Sequence, residues 1–222
     1  MEKNYLTKEN MSSKSDEWLA KLNIPSSRAK QFKFQPKNSA LLVIDMQEFF
    51  LKEDSHAFLP AAKAIISNIN SIIDEYRKRD FPIIFTIHAL APNERPGIMG
   101  RWWRDVPKLD SPLSKICSSI HLKKNDTILQ KSRYSAFIGT NLDQILKDKK
   151  IDTLVITGIM THLCCESTAR DAFMRDYEIY FVIDATASYN ETLHVSSLIT
   201  LTNGFAIPVK TDTILKEVQH IE

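Results

Sequence analysis

The chain is poor in the features that mark scaffolds, membrane proteins and cofactor carriers. It has three cysteines, Cys117, Cys164 and Cys165. That is too few for a disulfide framework, and adjacent cysteines rarely pair because the ring is strained. A stapled secreted fold is therefore excluded, and a reducing cytoplasmic setting is expected. No run approaches the ~20 apolar residues of a membrane span. The opening MEKNYLTKENMSSKSDEW has no apolar core, so no signal peptide is expected. Net charge is +2, with 29 basic and 27 acidic residues, which gives no attraction to nucleic acid or to a membrane surface. The six histidines (His56, His88, His121, His162, His194, His220) show neither HExxH nor paired Cys/His spacing, so no metal is expected. GxGxxG and GxxxxGK[ST] are missing too, which leaves no phosphate cradle and no cofactor. Repeats and low-complexity segments are absent.

What remains is ordinary globular usage, 43% hydrophobic and 25% charged over 222 residues, enough for one well-packed α/β domain. Residues 1–32 are polar and weakly periodic, with a short helix over Asp16–Leu22. They read as an arm over the domain or a neighbouring subunit, or as a disordered leader in the first 14 residues. Residues 33–222 form the domain. Apolar runs at 40–44, 82–87, 127–130, 153–157, 179–183 and 205–209 predict six strands. Helical spacing predicts helices from Pro60 to Arg79, and over 141–149, 167–175 and 191–202. Strands alternating with amphipathic helices give a doubly wound, mainly parallel six-stranded sheet of the Rossmann-like kind. The stretch 89–112, with two tryptophans, reads as a lid loop.

In such a sheet the ligand crevice lies beyond the carboxyl ends of the strands. Asp45, His88, Lys131 and Cys164 each stand at or just past a predicted strand end. Singly, each has an ordinary explanation: a capping carboxylate, a core histidine, a solvated ammonium, a small buried thiol. Right-handed crossovers bring all four strand ends to one edge, and together they form a nucleophile-activating set. Lys131 would stabilise a Cys164 thiolate and Asp45 would take its proton. Cys164 also falls between a strand end and a helix start, where backbone N–H groups favour negative charge. Cys165 reads as a core residue.

ALLVIDMQEFF (Ala40–Phe50), KSRYSAF (Lys131–Phe137) and GIMTHLCCESTARDAFMRD (Gly158–Asp176) resemble, in this order and spacing, the isochorismatase-like hydrolases, or cysteine hydrolase superfamily. The resemblance covers roughly residues 33–215. It implies a catalytic Asp45, Lys131 and Cys164. It also implies an oxyanion hole from the backbone N–H groups of Met160 and Cys164, and a cis peptide at Ile159–Met160. Gln47, His88, Trp102, Trp103 and Tyr134 are expected around the substrate, with Arg101 or Arg104 available to a substrate carboxylate. Metal-bearing nicotinamidases carry D-x-H where this chain reads His88-Ala89-Leu90, so no metal is implied. KSRYSAF and DAFMRD look closest to true isochorismatases, which cleave a vinyl ether and typically have glycine at the cysteine position. Cys164 marks the amidohydrolase members. The expected activity is hydrolysis of a small amide or ureide C–N bond through a thioester. The alternatives are vinyl-ether hydrolysis with Asp45 as acid, and a non-catalytic binding scaffold. Family members are commonly dimers or tetramers, so a homo-oligomer acting on a small molecule is expected.

Overall fold

Ser39–Ile44 and Thr153–Ile159 are buried at every position, as strands covered on both faces must be. In the computed structural model, which describes residues 4–22, 24 and 31–220, they form the middle of the sheet. The strands are β1 (Ser39–Ile44), β2 (Ile83–His88), β3 (Thr127–Lys131), β4 (Thr153–Ile159), β5 (Glu178–Ala187) and β6 (Ile207–Val209). All pairings are parallel, in the order β3-β2-β1-β4-β5-β6. The helices are α1 (Met11–Lys21), α2 (Glu48–Leu51), α3 (Pro60–Ala64), α4 (Ile66–Lys78), α5 (Gly97–Trp103), α6 (Leu142–Asp148), α7 (Glu166–Phe173), α8 (Glu191–Gly204) and α9 (Thr211–Gln219). Helices cover both faces of the sheet, α4 packing on α9 and α7 on α8. Among the described residues no helix is long and apolar enough to cross a membrane.

From β1 the chain winds outward through β2 and β3, then returns to the other side of β1 as β4. That reversal is a topological switch point, and it opens a crevice above the carboxyl ends of β1 and β4. The doubly wound parallel sheet is the one expected.

Several elements depart from expectation for local reasons. The helix expected from Pro60 to Arg79 is broken at Ile65 into α3 and α4. The 89–112 stretch contains α5, entered through Gly97 at φ +58°, so it is only partly loop. Strand β5 runs on past Ile183 to Ala187. The register shifts from Ile156 opposite Phe181 to Gly158 opposite Thr186, a bulge that contains Asp184. Asp184 therefore does not end the strand. Its Oδ1 accepts from both N and Oγ1 of Thr211, each at 2.8 Å, and anchors the first residue of α9. That helix, which buries Ile214 and Val218 one turn apart, had no counterpart in the sequence reading.

Gly158 lies inside β4 instead of closing it, at φ +106°. A Cβ there would stand 2.1 Å from the carbonyl oxygen of Ile44 and 2.6 Å from its nitrogen. The missing side chain lets β1 and β4 close up next to Asp45. Gly158→Ala should cost about 3 kcal/mol or more of unfolding free energy. Urea denaturation measures this, and a loss below about 1 kcal/mol would show that the two strands are not pressed together there.

Candidate active site

The crevice is built from the strand ends outward. Asp45 leaves β1 at φ +51°, a left-handed conformation that aspartate enters more readily than most residues. Thr86, one strand over on β2, donates from Oγ1 to Asp45 Oδ1 at 2.6 Å. Lys131 is the last residue of β3 and only 1% exposed, with Asp45 at 0%. Its ammonium lies 2.7 Å from Asp45 Oδ2, 3.2 Å from Cys164 Sγ and 3.1 Å from the Arg133 carbonyl oxygen. The Arg133 carbonyl and the Cys164 sulfur take its hydrogen bonds, and the Asp45 carboxylate balances its charge.

Cys164 follows the cis peptide Ile159–Met160, inside a single π turn over Thr161–Cys165 that runs directly into α7. Such widened turns recur at functional sites because they re-aim one side chain without ending the helix. Cys165, fully buried, faces the core. Burial pushes the Cys164 thiol well above its ordinary pKa; Lys131 draws it back and Asp45 pushes it up further. For Lys131, burial works against the charge, but Asp45 and Cys164 outweigh it and raise the pKa. The resting arrangement is thus an Asp45–Lys131 ion pair beside a protonated thiol. The carboxylate is close to the thiol: the ligand atoms of Asp45, His88 and Cys164 lie within 4.8 Å of one another.

Those same three atoms are also where a cation could be held, and His88 Nδ1 is buried without a hydrogen-bond partner. The Lys131 ammonium in contact with two of the three disfavours a second positive charge there.

Beside the thiol lies a cavity of about 140 Å³. A cavity of ~150 Å³ can take a single benzene ring. Its walls include His88, Trp103, Tyr134, Met160 and Cys164 from the expected set, and Phe49, His56, Asp105, Leu163 and Tyr189, which the sequence did not single out. Trp103 Nε1 donates to the Tyr134 hydroxyl at 2.7 Å. Trp102 does not reach the cavity; one position earlier on α5, it is 74% exposed. Arg101 and Arg104 do not line it either. Gln47 spends its amide on the backbone, donating to the Ser114 carbonyl at 3.0 Å and the His88 carbonyl at 3.3 Å and accepting from His88 N at 2.7 Å. It joins the ends of β1 and β2 and is not part of the cavity wall. Thr86 could have been noticed as a polar residue in the otherwise apolar run PIIFTI. Asp105 and Tyr189 lie in connections with no periodicity to flag them.

Two tests follow from the charges. Lys131→Met would strand the Asp45 carboxylate in a dry site. It should cost about 3–5 kcal/mol, and Asp45→Asn in the same chain should recover part of that. Denaturant unfolding of the single and double variants measures both, and additive losses would mean the two groups do not interact. The second test concerns His88, whose pKa is lowered from 6.5 to about 4, first by burial and then by Lys131. Unfolded histidine binds its proton first as pH falls, so stability should drop between about pH 6.5 and pH 4. His88→Gln should lessen that drop. An identical decline in the wild type and the variant would contradict a buried neutral imidazole.

The chain matches the family model for the isochorismatase domain over residues 39–213. Nicotinamidase 3 of Arabidopsis thaliana is 36% identical over 181 residues, covering 80% of this chain and 87% of that protein. Enterobactin synthase component B of Escherichia coli K12 is 30% identical over 177 residues, 79% of this chain but only 61% of its own length. Among solved structures, a cysteine hydrolase from Pseudomonas syringae pv. phaseolicola 1448A superposes with a TM-score of 0.81, covering 85% of this chain and 95% of that one. At 22% identity that likeness speaks for the fold alone. With the family model spanning most of the sequence and a relative 36% identical over most of both lengths, this chain belongs to the isochorismatase family of hydrolases.

Proposed function

We propose that the protein is a cysteine-dependent amidase acting on a small, planar, uncharged amide. The observation that carries this reading is the buried Lys131 ammonium bridging Asp45 and Cys164, with the Cys164 thiol on the wall of a ring-sized cavity. Asp45 takes the Sγ proton as sulfur attacks the carbonyl carbon. The tetrahedral oxyanion is held by the backbone N–H groups of Met160 and Cys164, and a preorganised donor of this kind is worth about 3 kcal/mol. Collapse breaks the C–N bond, and the leaving nitrogen carries off the proton from Asp45. Water then attacks the thioester, giving its proton to Asp45, and sulfur departs and recovers that proton. Lys131 stays charged throughout and steadies the thiolate, which offsets the rise that burial imposes on the thiol pKa.

The cavity wall supports an uncharged substrate. Among the described residues no lysine or arginine lines it and the one carboxylate is Asp105, whose Oδ2 is 3.2 Å from His56 Nε2. A dicarboxylate such as isochorismate would meet no cation there, whereas the aromatic faces of Trp103, Tyr134 and Tyr189 suit a flat ring. The similarity to a nicotinamidase points the same way.

The test is a panel of nicotinamide, a ureido acid and isochorismate, assayed for ammonia and pyruvate with the wild type and Cys164→Ala. Ammonia release from the amide that falls at least about 10³-fold in Cys164→Ala supports the thioester route. Pyruvate release that survives Cys164→Ala would replace it with vinyl-ether hydrolysis by Asp45. Absence of turnover on all three, with Cys164 no more reactive than a free thiol, would favour a binding scaffold.

A further inference from the structure

The turn that carries Cys164 is anchored by side chains that belong to no part of the reaction. Thr161 Oγ1 lies 2.8 Å from His194 Nδ1, and His162 Nδ1 is paired with Ser188 Oγ. Thr161 and His162 are the first two residues of the turn, so these contacts fix where Sγ begins its path. His194, on α8, is fully buried. Burial lowers its pKa to about 3, so the imidazole stays neutral and shares one hydrogen bond with Thr161.

Both anchors are covered by the N-terminal arm. The Trp18 ring lies 4.4 Å from the His194 ring at 57°, and the Tyr5 ring 6.2 Å from it at 42°. Ser188 N donates to the Tyr5 hydroxyl at 2.9 Å. The arm is also tied to the first residue of α8. Trp18 Nε1 donates to Glu191 Oε1 at 2.8 Å, and Lys14 Nζ meets the same carboxylate at 3.0 Å. A further ion pair joins Asp16 to Lys210 at 2.7 Å. Leu6 and Trp18 are fully buried and belong to the main core, although the family match begins only at residue 39. Next to Ser188, Tyr189 forms part of the cavity wall.

We propose that the arm is a brace for the nucleophile turn, with Tyr5 and Trp18 as positioning residues acting through Ser188 and His194. Apolar packing alone would need no hydroxyl over the Ser188 N–H and no indole against the one ring that binds Thr161. The arm supplies both. A brace of this kind sets the reach and angle of Sγ, and a displacement of about 1 Å is enough to cost a large factor in rate.

The inference rests on Cys164 being the reactive thiol, so the experiment reads that sulfur directly, without a substrate. Full-length wild type, Tyr5→Phe, Trp18→Phe and Leu6→Ala are treated with iodoacetamide at neutral pH. The rate at the Cys164 peptide is followed by mass spectrometry, and thermal unfolding is recorded beside it. Tyr5→Phe removes only the oxygen that meets Ser188 N. It and Trp18→Phe should slow labelling about threefold or more at a temperature where every variant is folded. Leu6→Ala should lower Tm and leave the labelling rate within about twofold, because it removes packing and no polar link. Labelling by Tyr5→Phe and Trp18→Phe at the wild-type rate would overturn the brace alone. Rates that merely follow Tm across all three variants would do the same. A wild-type Cys164 that does not label would overturn the reading of Cys164 as nucleophile, and the brace with it.

Discussion

One buried ammonium governs this structure. Lys131 is almost without solvent, and an ammonium in that state is tolerable only with its charge balanced and each of its protons accepted. Asp45 supplies the balance, and the Arg133 carbonyl and Cys164 sulfur take the remaining contacts. The cost of removing two charges from water is recovered only when geometry is tight, so the ends of β1 and β3 and the turn after β4 are held in fixed relation. The same arrangement that makes the ion pair bearable sets a base, a cation and a thiol within reach of each other.

The sheet makes that relation possible. Because the strand order reverses at β1 and β4, their carboxyl ends flank an open crevice instead of a covered one. Gly158 lets them approach closely, and Gln47 ties the end of β1 to the end of β2 through two hydrogen bonds to the His88 backbone and to the later chain through a third to the Ser114 carbonyl. Thr86 then fixes one oxygen of Asp45, leaving the other for Lys131. Each of these residues shapes the site without lying on the cavity wall.

How much of this was legible in the sequence depended on whether a residue's role was local. Apolar runs such as Ala40–Ile44 and Thr153–Thr157 announced buried strands, and the order of strands and helices announced the sheet, because burial on both faces leaves a continuous signature. Asp45, His88, Lys131 and Cys164 were visible as chemistry at strand ends. The cavity walls were not. Asp105 and Tyr189 come from irregular connections, and Trp102 and Trp103, neighbours in sequence, face different ways because α5 turns by about 100° per residue. The β5 bulge and α9 were equally hidden, since Asp184 acquires its partner from Thr211 only once the chain has folded. Residues 1–32 could be read as an arm over the domain, but nothing in them singled out Trp18 as fully buried, because its partners, Glu191 and His194, lie far along the chain.

The scarcity of cations around the cavity has a consequence for the end of the catalytic cycle. Under the proposed reaction, hydrolysis of an uncharged amide would turn the guest into a carboxylate in place, while Lys131 stays committed to Asp45 and Asp105 remains on the cavity wall. An anion born in such a compartment gains more from bulk water than from its container. The electrostatics that admit the reactant would therefore also clear the acid, and turnover would need no separate gate for exit.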